Sequence, residues 1–169
     1  MKKLMKPDYM FKTYDEITPE FLTSLGVKAV LSDVDNTLAP YEQAEPDEKL
    51  MAWINGLSRA GIRIAFISNN EQERLDIFNK NLGVPAYAKS GKPFKKSLLR
   101  AMHDLGTDGT NTVMLGDQLL TDAWAGNAAG LKVIIVPPIK DKLNLFFRFK
   151  RWLEKGTVRR FKKKHGITW

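Results

Sequence analysis

The chain reads as a doubly wound α/β domain: a parallel sheet in a three-layer arrangement, with helices on both faces. Three observations carry that expectation. Short β-branched runs alternate with longer amphipathic stretches between residues 27 and 136, the pattern of successive strand–helix units. The length of 169 residues suits one domain rather than two. Hydrophobic residues make up 43% and charged residues 27%, which fits a globular chain with a core and excludes a disordered or collagen-like one.

The elements follow in order. Residues 27–33 form a buried strand with a polar end. Between Asp47 and Arg59, Leu50, Trp53, Ile54 and Leu57 recur at helical spacing, and Gly61 marks the stop. Residues 62–67 are a second strand, followed by a helix over 72–82 and a short strand over 86–89. A helix over 94–105 leads to a strand at 112–115. A helix starting near Thr121 and a strand at 132–136 complete the body, which Pro137 and Pro138 terminate. Trp53 and Trp124 are expected in the core, and His103 on the surface.

Composition removes several chemistries. There is no cysteine, so disulfides, Cys-ligated zinc, iron–sulfur clusters and thiol nucleophiles are excluded. The two histidines, His103 and His165, are too far apart in sequence to suggest a His-rich metal site. No apolar run approaches the ~18–20 residues of a membrane-spanning helix. The basic start lacks the apolar stretch of a signal peptide, so a cytoplasmic location is expected. Net charge is +8, but its distribution is uneven. Residues 140–169 hold eleven Lys and Arg against Asp141 and Glu154, a local +9, and leave the rest of the chain at −1. The expected organisation is a body over 1–139 and a basic tail over 140–169.

Ligands of doubly wound sheets sit beyond the carboxyl ends of the strands. The first strand ends in Asp33, Val34, Asp35, Asn36 and Thr37. The second ends in Ser68, Asn69 and Asn70, the third element in Lys89 to Lys92, and the fourth in Gly116, Asp117 and, after a short gap, Thr121 and Asp122. Several carboxylates in one cleft repel unless a cation neutralises them. Oxygen ligands without His or Cys suit a hard ion such as Mg²⁺. A lysine and a hydroxyl beside them form a cradle for a phosphate dianion. One aspartate can attack phosphorus, while a second, two residues along, handles the proton of the leaving oxygen and later of water. A calcium loop is excluded, because Leu38 stands where Gly is required and Ala44 where the bidentate Glu belongs.

These four segments resemble, in order, the four motifs of the haloacid dehalogenase superfamily of phosphohydrolases. The resemblance covers about residues 14–137. The runs Ser32 to Leu38, Ile67 to Asn70 and Gly116 to Asp122 resemble more narrowly the subclass IIIA branch called YqeG-type, whose relatives include phosphatidylglycerophosphate phosphatases. The resemblance implies that Asp33 is the nucleophile and a Mg²⁺ ligand. It makes Asp35 the general acid/base and a metal ligand through its backbone carbonyl, and Asp117 the residue that completes the metal shell. Ser68 and Lys92 would hold the phosphoryl oxygens, with the amides of Asn36 and Asn69 assisting. Thr37 and Asp122 would support the ligands from behind, Asp122 either through water or by orienting its neighbours. Lys89 competes for the lysine role; Lys92 is preferred because Pro93 follows it as in the family.

Family members often carry a cap inserted between motifs. Here Asp33 to Ser68 spans 35 positions and Ser68 to Lys92 spans 24, each room for one helix. An uncapped site suits a phosphate carried on something large. A helix over 139–155 would place Ile139, Leu143, Phe146, Phe147 and Leu153 opposite Asn144, Arg148, Arg151 and Lys155, with Lys142 and Lys150 intruding on the apolar arc. That describes an interfacial helix, to which the 159–164 basic cluster adds affinity for anionic lipid. The expected function is hydrolysis of a phosphate monoester, with a lipid headgroup, phosphatidylglycerophosphate, as favoured substrate at the inner membrane face. The alternatives are a soluble sugar or nucleotide phosphate, or an RNA- or ribosome-associated binding role for the tail. Lys2, Lys3 and Lys6 could join either surface. The tail's apolar face could instead pack on the body. Oligomeric state is open.

Overall fold

The computed structural model describes residues 4–140 and 145–169. Six strands form one sheet, β1 (Tyr9–Met10), β2 (Ala29–Ser32), β3 (Arg63–Ile67), β4 (Ala86–Tyr87), β5 (Thr112–Gly116) and β6 (Lys132–Ile135), all pairs parallel. Their order is β1-β6-β5-β2-β3-β4. From central β2 the chain winds one way through β3 and β4 and the other through β5 and β6. The reversal falls between β2 and β5, where such a sheet opens a crevice beyond its carboxyl edge.

β2 and β5 are buried at every position, which is why they read as continuous apolar runs rather than alternating ones. Successive residues then serve opposite layers. Val30, Ile64, Phe66, Val113 and Leu115 join a core with α1 (Pro19–Ser24), α2 (Glu48–Arg59) and α3 (Gln72–Asn79). Leu31, Ala65, Ile67, Met114 and Val133 face α4 (Lys96–Asp104) and α5 (Trp124–Ala128). Gly126 lets α5 lie against the sheet, since a Cβ there would stand 2.8 Å from both Met114 and Val133.

α2 starts where Asp47 accepts the Leu50 amide at 2.8 Å, and Trp53 is buried with its indole N–H on the Ile17 carbonyl at 2.9 Å. α1 opens with Thr18 accepting the Phe21 amide, followed by Pro19 in the first turn. This helix, β1 and a 3-10 turn at Tyr14–Glu16 precede the first element expected from the sequence. The helix expected near Thr121 starts as a π-helical turn, Leu119–Ala123, before α5. His103 lies on the surface.

The tail departs from the expected 139–155 helix. α6 spans Leu145–His165. It meets the body through Glu154, which accepts the Leu120 amide at 3.0 Å, and through buried Phe161. Of the apolar arc drawn from the sequence, Ile139 and Leu153 are exposed. Lys142, Leu143 and Asn144 lie outside the described residues, as do Lys2, Lys3 and the side chains of Phe146, Phe147, Arg148, Lys150 and Arg151. No helix among the described residues is long and apolar enough to cross a membrane.

Candidate active site

Asp33 follows the last residue of β2, and its amide still pairs with the Leu115 carbonyl of β5 at 2.9 Å. The carboxylate therefore stands at the switch point itself. Lys92 reaches it from the loop after β4: Nζ donates to Asp33 Oδ1 at 2.7 Å and to the Ile67 carbonyl at 2.7 Å, and pairs with Asp122 Oδ1 at 2.8 Å. These are side chains almost wholly out of water, where a charge persists only if paired and hydrogen-bonded. Thr37 donates to the other oxygen of Asp33 at 3.3 Å.

The two lysine candidates separate by burial. Lys89 is exposed and ion-paired to exposed Glu71, whereas the Lys92 side chain is 1% exposed. Asn69 places Lys92: its side-chain oxygen accepts the Lys92 amide at 2.9 Å and the Ser90 hydroxyl at 2.8 Å, and its side-chain nitrogen donates to the Lys92 carbonyl at 3.0 Å. Asn36 sits at φ 66° and donates its amide to the Ala39 carbonyl at 2.7 Å, so the tight turn after Asp35 engages the N–H expected to serve a phosphate. The Ser68 hydroxyl oxygen accepts the Asn70 amide at 3.0 Å, and this buried serine lines the cleft.

Asp117 and Asp122 come from the end of β5. Asp33, Asp117 and Asp122, all buried, each offer an oxygen within 4.8 Å of the others. Asp122 is committed on both sides, Oδ2 to the Gln118 amide at 3.0 Å and Oδ1 to Lys92. Gly116 makes this possible, because a Cβ there would lie 2.4 Å from Asp122. The three buried carboxylates are like charges held close together. An all-oxygen set of this kind fits a hard divalent cation.

Electrostatics agree with the geometry. Burial raises the Asp33 carboxyl to about 6; Lys92 opposes the shift, and the Asp122 and Asp35 charges add to it. Lys92 is held protonated well above the ordinary lysine range: burial disfavours its charge, but Asp122 and Asp33 outweigh burial.

Asp35 faces the same cleft, a cavity of about 260 Å³. It is bound by Asn70, which the sequence placed at this strand end without a role, and by Arg74, which motif reading passed over. Asn70 donates to Oδ2 at 3.1 Å, and Arg74 pairs with Oδ1 at 3.2 Å. Arg74 also donates to the Gln43 and Ala44 carbonyls at 2.7 and 3.2 Å, tying the loop after the first motif to Asp35. A signal for Arg74 existed. It lies in the first turn of α3, where a cation opposes the helix dipole and calls for a tertiary partner.

Comparison with known proteins identifies the family. A family model described as HAD-hydrolase-like matches residues 89–138, the span that carries Lys92, Asp117 and Asp122. Over all 169 residues the chain is 34% identical to the "Probable phosphatase YqeG" of Bacillus subtilis (strain 168), covering 98% of that protein. An uncharacterized protein from Listeria monocytogenes serotype 4b shares the fold at TM-score 0.55 and 19% identity, over 70% of this chain and 86% of that one. CbbY from Rhodobacter sphaeroides, solved in complex with phosphate, does so at TM-score 0.51 and 18% identity, over 71% and 90%. With 34% identity to one such phosphatase over the full length and its carboxylates gathered at the switch point, the chain belongs to the HAD-like hydrolases and is a phosphatase of that family.

Proposed function

We propose that this phosphatase hydrolyses a phosphate monoester through an aspartyl-phosphate on Asp33 and depends on Mg²⁺. The observation that carries the reading is the Asp33 carboxylate at the β2/β5 switch point, 2.7 Å from a buried, charged Lys92. In the first step an Asp33 oxygen attacks phosphorus and the ester P–O bond breaks. Asp35 gives its proton to the departing oxygen. In the second, Asp35 takes a proton from water as that water attacks phosphorus; the bond to Asp33 breaks and inorganic phosphate leaves. The Ser68 hydroxyl and the Lys92 ammonium hold the phosphoryl oxygens. Asn69 keeps Lys92 in place, Thr37 orients Asp33, and Asp122 braces Lys92. Asp33, Asp117 and the Asp35 carbonyl are the proposed ligands of Mg²⁺, which when bound would offset the carboxylate and phosphoryl charge.

We infer that the substrate is phosphatidylglycerophosphate, met at the surface of an anionic membrane. The interval from Asp33 to Ser68 holds a loop, α2 and β3, and the interval from Ser68 to Lys92 holds α3 and β4, so neither interposes a cap over the cleft. The basic segment 140–169, taken as an appended unit, supports the membrane reading through its charge of +9. The test is Mg²⁺-dependent phosphate release from phosphatidylglycerophosphate in mixed micelles and from an aryl phosphate. Asp33→Asn should abolish both. Activity that persists in this variant would overturn the mechanism, and aryl activity without lipid activity would overturn the substrate.

A further inference from the structure

Beyond the catalytic cleft, a larger cavity of about 860 Å³ lies between α6 and the carboxyl edge of the sheet. Its floor is apolar: Met10, Leu119, Ile135 and Val136, with Pro137 and Pro138. Val158 and Gly156 of α6 form part of the opposite wall. At one end the cavity reaches Asp117, whose carboxylate lies within 4.8 Å of those of Asp33 and Asp122, and Gln118, Thr121 and Asp122 of the same segment line the catalytic side. The volume lies within the roughly 300–1,000 Å³ of small-molecule sites.

Lys155, Arg159 and Lys163 also line this groove, four residues apart on one stripe of α6. Like charges at that spacing repel each other, and none has an acidic partner among the ion pairs of the described residues. An apolar floor beside a cationic stripe is complementary to an anionic amphiphile. A sugar or nucleotide phosphate would leave the floor uncovered. The 4.8 Å reach between the Asp117 and Asp33 carboxylates sets such an occupant beside a phosphoryl group at Asp33.

We propose that this groove holds the hydrocarbon portion of the phosphate ester whose phosphoryl group enters the Asp33 cleft, with the Lys155–Arg159–Lys163 stripe receiving further negative charge on the same molecule. The inference rests on the phosphatase mechanism above and adds the place where substrate selectivity arises. α6 then serves as one wall of the substrate site.

The test uses the full chain and n-alkyl phosphates of increasing length, each below its critical micelle concentration. Every methylene that enters the groove should raise kcat/KM about fourfold, until the groove is filled. Gly156 provides the blocking variant. A Cβ there meets nothing within 4 Å, and replacing a helical glycine favours the helix, so Gly156→Trp can grow into the groove. It should flatten the chain-length slope. A flat slope in the wild type, with aryl phosphate still hydrolysed, overturns the groove and leaves the phosphatase mechanism standing. A steep slope unchanged in Gly156→Trp overturns the location. Failure to hydrolyse any ester overturns the mechanism and this inference together.

Discussion

Replacing Arg74 separates its action on the general acid from a purely structural role. Its guanidinium makes three contacts: to Asp35 Oδ1 at 3.2 Å, the Gln43 carbonyl at 2.7 Å and the Ala44 carbonyl at 3.2 Å. It lies 5.4 Å from the centre of the Phe78 ring, and the Arg74 and Asp35 side chains are 17% and 13% exposed. Charge-assisted hydrogen bonds of this kind contribute about 1.5–3 kcal/mol each when fully desolvated. Partial exposure and long geometry reduce that, so Arg74→Gln should cost about 2 kcal/mol of stability. The larger effect is on Asp35, which loses the group that aims it. A positioned general acid contributes roughly 10²–10⁴-fold. Alkyl esters such as glycerol phosphate need that proton, whereas p-nitrophenyl phosphate expels a stable anion without it. Steady-state kcat should therefore fall about 10²-fold on the alkyl ester and only a few-fold on the aryl ester. Arg74→Lys should recover little, because an ammonium group cannot span two carbonyls and a carboxylate as the planar fork does. Equal losses on both substrates, or none on either, would refute the assignment.

Two other outcomes follow from the carboxylate cluster. Gly116→Ala places a Cβ 2.4 Å from Asp122 and should push that side chain off the Gln118 amide and Lys92. Loss of about 1–3 kcal/mol of stability is expected, with kcat down at least tenfold; wild-type kcat and melting temperature together would contradict it. The second outcome concerns pH. Asp33 titrates at about 6 in the folded chain, above its ordinary 3.8, so the folded state retains a proton that the unfolded state releases. In chelator, its contribution to stability is intact below about pH 4 and is lost as pH rises through 6. Asp33→Asn lacks this penalty, so its melting temperature should gain on the wild type across that window. Saturating Mg²⁺ should remove the gain, and a difference that is flat in chelator would refute the sign.

What the sequence disclosed followed the range of each interaction. Fully buried strands such as β2 and β5 are legible because burial on both faces leaves an uninterrupted apolar run. β1 has two residues, Tyr9 and Met10, and exists through its pairing with β6, more than 120 positions away, so no local period announces it. The same distinction divides the site. Asp33, Ser68, Lys92 and Asp117 stand just beyond strands or follow them closely, where topology alone brings them to one edge. Pro93 favours Lys92 over Lys89 in the sequence, and the physical difference appears when Lys92 is enclosed by Asp33, Asp122 and the Ile67 carbonyl while Lys89 stays exposed. Charged residues whose burial depends on remote partners were the hardest to read. Arg74 meets Asp35 across 39 positions, and Glu154 meets Leu120 across 34. In a helical pattern both read as solvent-facing, and a polar face drawn from α6 alone cannot show that its one carboxylate turns inward. Amphipathic periodicity locates the surface that lacks charge. It is silent about charges that enter the interior because a backbone amide or a carboxylate is already waiting there, and such contacts join the apolar packing of Leu75, Phe78 and Phe161 in holding α3 and α6 against the body.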